Sequence, residues 1–504
     1  MLCNPPSTDG STAGKKDEMR YDVVIIGGGF GGLACGTILS RAGKHVLVLE
    51  RQAQAGGCVQ SYQRGGHSFD TGLHYVGGLA EGQNLHKVFT YLGLMDLPWP
   101  RLDPTGFDQV TIGHHTFSYA EGFDAFADTL AEHFPEEREG LQKYVQVLRH
   151  VDNIYFGSQD TMNLSSVNAY DFLCSTFHDP LLINVLSSSA MKMELRRGSL
   201  PLFTFAHGNS SFIQSSWRLR GDGNMIVRSL TDSITSNGGK VVCHSEVEEL
   251  IEKDGKIVAA RCKDGETYEA DLFISDIHPA LTFELVKDSQ VLKKVFRRRM
   301  NALENTYGMF TASLVLQAGI LPYFNHNKYV YRKPNVWTFH EDVGGIGGVM
   351  VSARVPSHGR YVEQIDLLTP MPWAWCQQWE ATHMGHRGEG YTMMKRRMAD
   401  ECLALAEQVI PRLSTMVSER YTSTSLTYRD YNQTPQGSAF GVRKDSHNPL
   451  MTMLSPRTPL SNLLLTGQSV MLHGLEGVAM TALRTCSEVI GTEFIETIIK
   501  GQRI

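Results

Sequence analysis

Short apolar, β-branched runs and helical stretches alternate at the start of the chain. Tyr21-Asp-Val-Val-Ile-Ile26 reads as a strand buried inside a parallel sheet, and it stops abruptly at Gly27. A helix is expected from about Gly31 to Ala42, closed by Gly43, after which His45-Val-Leu-Val-Leu49 forms a second strand with Glu50 at its end. Strand, helix and strand in this order predict a βαβ unit with a right-handed crossover.

Further along, the stretch from about Glu121 to Asn209 reads as mostly helical, with polar breaks at Gly157–Asp160 and Arg197-Gly198. A helix near Asn224–Ser236, a strand Lys240–His244 and a hairpin Val247–Cys262 turning at Lys253-Asp254-Gly255 come next, with another strand at Ala270–Ser275. Strand-like runs at Thr311–Gln317, Val349–Ala353 and Ile365–Leu368 precede a helix at about Tyr391–Val409. The closing segment returns to strand (Asn462–Thr466), turn (Gly467-Gln468) and helix (from about Leu475). The expected fold class is α/β: a Rossmann-type dinucleotide-binding domain with a parallel sheet, and a mixed α/β substrate domain inserted in it. The expected division is 19–110, 206–299 and 416–504 for the discontinuous cofactor domain, and 111–205 and 300–415 for the substrate domain.

Composition narrows the classes. The chain has 504 residues, 42% of them apolar, enough for two or three cored units, and a net charge of −6 gives no electrostatic footprint for nucleic acid. Nine cysteines, with no C-x-x-C pair, argue against zinc and against a disulfide framework, so no metal site is expected. Met1–Glu18 is polar and reads as a disordered leader with Met19 as an alternative start. No run approaches the roughly 18 to 20 apolar residues of a membrane span, leaving a cytoplasmic protein whose contact with a bilayer, if any, is peripheral.

Gly27-Gly28-Gly29-Phe30-Gly31-Gly32 satisfies G-x-G-x-x-G between a strand and a helix. Gly27 permits the tight turn, Gly29 lets the backbone approach a pyrophosphate, and Gly32 lets helix and strand pack closely. The phosphates would meet free N–H groups at the helix N-terminus. Glu50, 23 residues after Gly27, is placed to accept from a ribose diol, and its charge favours a free 2′-hydroxyl over a 2′-phosphate.

The residues after Glu50 choose between FAD and NAD. Glu50-Arg51 followed by Gly56-Gly57 resembles the extended FAD fingerprint of the amine oxidase and phytoene desaturase superfamily. Gly57-Cys58-Val59-Gln60-Ser61 with Phe69–Tyr75, Gly221–Met225 through Val247 to Ser275, and Leu465–Gln468 with His473-Gly474 and Gly477 are similar to the subgroup of phytoene desaturases, carotenoid isomerases and retinol saturases. Many desaturases carry Arg where this chain has Cys58, which favours a saturase or isomerase over a desaturase.

The resemblance implies FAD as cofactor, bound by Gly27, Gly29, Gly32, Glu50, Arg51, Gly57, Cys58, Val247, Gly467, Gln468 and Gly477. It places His74 and Tyr75 beside the isoalloxazine ring as candidates for protonating a carbon, with His473 and Glu476 as further candidates; a structural histidine and a helix cap are the bland readings of the same residues. Val247 reads equally as a core strand residue, and Cys58, without a nearby partner, as a packing residue. Met371–Trp375, Trp379 and Met191–Met193 are candidates to line an apolar tunnel, or are simply core. The implied partner is a lipophilic polyene, reduced or isomerised at a C=C bond. The alternatives are a desaturase, an amine oxidase-like enzyme and a non-catalytic escort protein. Gly344–Gly348 fails the spacing of a second fingerprint and reads as a loop, so the electron donor is external and of open identity.

Overall fold

The computed structural model describes residues 20–153, 158–341 and 345–500. The leader Met1–Glu18, Met19, Gly157 and Gly344 of the sequence reading lie outside these.

Two seven-stranded sheets organise the molecule. In the first, the order is Val247–Lys253, Lys256–Cys262, Thr267–Ser275, Tyr21–Ile26, Val46–Leu49 and Lys240–Val242, with Leu463–Leu465 also paired to Thr267–Ser275. The central strands run parallel, in the registers Val23 to Val46, Val23 to Leu272 and Ile274 to Leu464. Val46–Leu49 and Leu463–Leu465 are buried throughout, as strands covered on both faces require. Three distant stretches of chain therefore build one Rossmann-type sheet, and all its parallel strands end at the same edge. The helices Phe30–Arg41, Asn224–Ser236 and Gly474–Ile490 pack together on it, burying Ile38, Ile234, Ala482 and Leu483.

The second sheet runs Val417–Ser423, Gly308–Leu316, Gln364–Met371, Gly348–Ala353, Asn327–Tyr331, Asp108–Ile112 and His115–Tyr119. It is antiparallel except where Asn327–Tyr331 runs parallel to Asp108–Ile112. The helix Gly388–Ala406 packs on it through Met398, Ala399 and Cys402, and helices between Phe123 and Gln214 form the other large layer.

Several boundaries differ from the expected ones. The division at 110 cuts the strand Asp108–Ile112, which belongs to the second sheet, and the division at 205 cuts the helix Leu202–Gln214. The strand Val417–Ser423 is also in the second sheet, not in the cofactor unit. It pairs with Gly308–Leu316 at the sheet edge, and a half-buried edge strand with Ser418 and Glu419 exposed carries no continuous apolar run to mark it. The strand Lys240–Val242 stops short of His244, whose φ of 57° turns the chain.

Candidate active site

The edge where the parallel strands end opens into a cavity of about 380 Å³. That lies within the roughly 300–1,000 Å³ typical of a small-molecule site. One end is made by Gly27, Gly29, Gly31, Glu50, Arg51, Gly57, Cys58, Val247 and Gln468; the other by apolar side chains including Leu73, Met191, Met193, Phe212, Met309, Met350, Leu368 and Phe440.

Two of the fingerprint glycines have a local backbone reason. Gly27 adopts φ 97°, the left-handed turn that ends the first strand. A Cβ on Gly32 would run into the Gly27 carbonyl, so Gly32 lets the helix lie against the strand rather than lining the cavity. Glu50 accepts from the Gly28 N–H at 2.9 Å and from the Gln52 N–H at 2.8 Å, which fixes its carboxyl at the cleft. Burial raises its pKa against these bonds and the nearby Arg51 charge. Arg51 lines the cleft, but its guanidinium donates at 2.7 Å to the carbonyls of both Asp430 and Tyr431, tethering the helix Ser425–Asn432. Gly467 (φ 89°) turns the chain after the strand Leu463–Leu465, bringing Gln468 to the wall, and Gly477 lies in the first turn of the closing helix. Val247, at the start of its strand, lines the cleft and is also core, so both readings of it meet in one place. Cys58 accepts from Asn432 Nδ2 at 3.2 Å, and burial pushes its thiol up to about 11.

His74 and Tyr75 stand at the junction of the two ends but differ in kind. The Nδ1 of His74 lies 3.5 Å from Asp366 Oδ2, while its Nε2 is buried with no hydrogen-bond partner. Burial alone would raise the pKa of Asp366; His74, the Ser313 hydroxyl at 2.5 Å and the charge of Arg354 outweigh it and hold the carboxyl below its usual range. The imidazole is thus held on one nitrogen, and the other is buried without a partner in a residue that lines the cavity. Tyr75 instead commits its hydroxyl: it donates to Asp108 Oδ2 at 3.0 Å, meets Tyr329 at 2.9 Å and receives from Lys192 Nζ at 3.3 Å. The Lys192 ammonium also sits 3.7 Å from the Phe212 ring centre, and burial lowers its pKa to about 8.

His473 precedes the helix Gly474–Ile490 and lines the cavity without capping the helix through its side chain. Burial, helped by Lys444, lowers its pKa to about 4, so it is neutral near pH 7. Glu476 has the opposite bias: burial, with Asp152 nearby, raises it to about 8, and its Oε2 is buried without a partner. Of the tunnel candidates, Met191 and Met193 reach the cavity, whereas Met371 packs in the core of the second sheet and Trp373, Trp375 and Trp379 lie against it. Sequence reasoning missed Asp366, Lys192, Asp108 and Asp276, which come from other strands and loops. Only Asp276, ending a predicted strand opposite the glycines, carried a signal that could have found it. Among the described residues no three His, Cys, Asp or Glu side chains converge as a metal site.

Comparison with known proteins agrees with this architecture. The model of the NAD(P)-binding Rossmann-like domain matches residues 25–92. The chain is 26% identical to the all-trans-retinol 13,14-reductase of Macaca fascicularis, over 94% of this chain and 85% of that protein. It is 23% identical to prolycopene isomerase 2 of an Oncidium hybrid cultivar, over 91% and 82%. Among solved structures, a putrescine oxidase superposes with a TM-score of 0.65 at 13% identity, covering 94% of this chain and 99% of the other. The resemblance to the phytoene desaturase, carotenoid isomerase and retinol saturase family thus runs nearly the whole length of the chain, and the cleft is that of a dinucleotide-binding oxidoreductase fold.

Proposed function

We propose that this protein is an FAD-dependent oxidoreductase that acts on a carbon–carbon double bond of a lipophilic polyene, a retinoid or carotenoid, by saturation or cis–trans isomerisation. The observation that carries the reading is the junction itself. A dinucleotide cleft and apolar side chains line one cavity, and His74 stands in its wall with Nε2 buried and unpartnered and Nδ1 3.5 Å from Asp366.

The cleft fits FAD on its own chemistry: a glycine-lined wall for a diphosphate, Glu50 for a ribose diol, and room beyond for a ring system. Gly27, Gly29, Glu50, Gly57, Val247, Gln468 and Gly477 would hold it, and bound flavin would supply hydride chemistry. The remaining work falls to the chain. Leu73, Met309, Met350 and Leu368 exclude water and seat an apolar skeleton, and His74 gives a proton to the carbon next to the one receiving hydride. The lipophilic substrate is the partner in this reading, with electrons from an external donor. Among the described residues no helix is long and apolar enough to cross a membrane, and a cytoplasmic location with peripheral bilayer contact goes with the reading.

The test is to load the purified protein with FAD, reduce it chemically, incubate it anaerobically with retinoids and carotenoids, and analyse products by mass and isomer-resolving chromatography. A gain of one hydrogen pair makes it a saturase; an unchanged mass with a shifted isomer peak makes it an isomerase. Loss of a hydrogen pair with oxidised flavin would identify a desaturase. Unchanged polyenes overturn the reading, with peroxide formed from amines pointing to an amine oxidase and no redox change at all to an escort protein.

A further inference from the structure

The residue that closes the glycine cradle is an acid. Asp276 follows the strand Thr267–Ser275 directly, and its N–H donates to the Ile26 carbonyl at 2.8 Å, which sets it at the edge where the parallel strands end. Its carboxyl occupies the space that side chains at the fingerprint glycines would fill. A Cβ on Gly29 would lie 2.6 Å from Oδ2, and Cβ atoms on Gly31 and Gly467 would overlap Oδ1. The glycines of both the fingerprint and the closing turn therefore make room for Asp276, and Asp276 lines the same cavity.

The N–H groups of Gly32 and Gly29 face this carboxyl, the donors that would otherwise meet a diphosphate. Among the described residues no cation offsets it. Glu50 faces it from the end of the second strand as a further negative charge, and Arg51 beside Glu50 is engaged by the carbonyls of Asp430 and Tyr431. Cys58, on the Gly57–Val59 turn, is a neutral thiol at pH 7. His278, two residues on, is kept neutral by burial and held by Asn305 at 2.8 Å. The turn Thr466-Gly467-Gln468 brings no ionisable side chain. Burial first, and the Glu50 charge with it, raise the Asp276 pKa to about 7 against the Gly32 and Gly29 amides.

A carboxylate and a doubly charged diphosphate cannot share one set of amides without strong repulsion. We propose that Asp276 is a cofactor-binding residue that meets the dinucleotide's diphosphate as a neutral carboxylic acid, donating its hydrogen, so that the cofactor and one proton bind together. This rests on a dinucleotide occupying the cleft and is independent of the reaction that follows. The sign is fixed by linkage: affinity is full below about pH 7 and weakens as pH rises, by up to tenfold per unit, for a total of about 100-fold between pH 6 and pH 9.

Full-length apoprotein titrated with FAD in a calorimeter, at pH 6 to 9 and in two buffers of different ionisation enthalpy, counts the protons directly. The expected result is about one proton taken up per FAD at pH 8, few at pH 6, and in Asp276→Asn tight binding that no longer varies with pH. Wild-type affinity that is flat with pH and free of proton uptake overturns the proposal without any variant, and so does a pH dependence that survives Asp276→Asn or Asp276→Ser. FAD that binds at no pH overturns the cofactor reading and this proposal with it.

Discussion

Replacing His74 by Gln keeps the size and polarity of the side chain and removes its titratable nitrogen. The Nε2 it loses is buried and unpartnered, and the Nδ1 that lies 3.5 Å from Asp366 is lost with it. A positioned general acid is worth about 10²- to 10⁴-fold, equivalent to about 3 to 5.5 kcal/mol of transition-state stabilisation. The single-turnover rate of product formation from the reduced, FAD-loaded variant should therefore fall by that factor. The flavin spectrum and FAD affinity should stay as in the wild type, because His74 does not belong to the glycine end. Asp366→Asn should give a smaller loss of the same kind, since the imidazole remains but is held less firmly. A His74→Gln rate within threefold of wild type, with FAD bound, would refute the assignment and move attention to Glu476, the other cavity-lining acid with an unpartnered buried oxygen.

Gly32→Ala should destabilise the fold by about 1 to 3 kcal/mol in urea denaturation, because its Cβ meets a backbone carbonyl that cannot rotate away, whereas Gly198→Ala, with nothing within 4 Å, should be near neutral. Lys192→Met should weaken binding of polyenes ending in a hydroxyl or carboxyl by about 10- to 100-fold while leaving hydrocarbon polyenes unaffected, as read by competition binding; equal loss for both would contradict a polar-end role. Cys58, its thiol pushed up to about 11, should resist iodoacetamide at neutral pH while the exposed Cys174 labels, a contrast that peptide mass mapping resolves.

What the sequence made legible follows from where each signal is stored. The first βαβ unit is local: apolar runs, a glycine turn and an acid lie within 30 residues, and the helix Phe30–Arg41 and strand Val46–Leu49 form within a residue of their expected ends. The helix Asn224–Ser236 and the Asp254-Gly255 turn were equally local. The second sheet was less legible because Asn327–Tyr331 and Asp108–Ile112 meet across more than 200 residues, and the alternation in Val417–Ser423 is that of an exposed edge. The site shows the same division. His74 was picked out by the family resemblance of Phe69–Tyr75, whereas the carboxylate beside it comes from the strand Gln364–Met371, and Lys192 comes from a short turn between helices.

The most direct test of the central claim is to run the reaction of the reduced, FAD-loaded protein in deuterium oxide and locate the label in the recovered polyene. Where the bond is saturated, the hydrogen pair it gains would come from solvent, by way of the reduced flavin and His74, so the account predicts deuterium on both of its carbons. A polyene saturated without any deuterium at those carbons, or recovered unchanged and unlabelled, would contradict it.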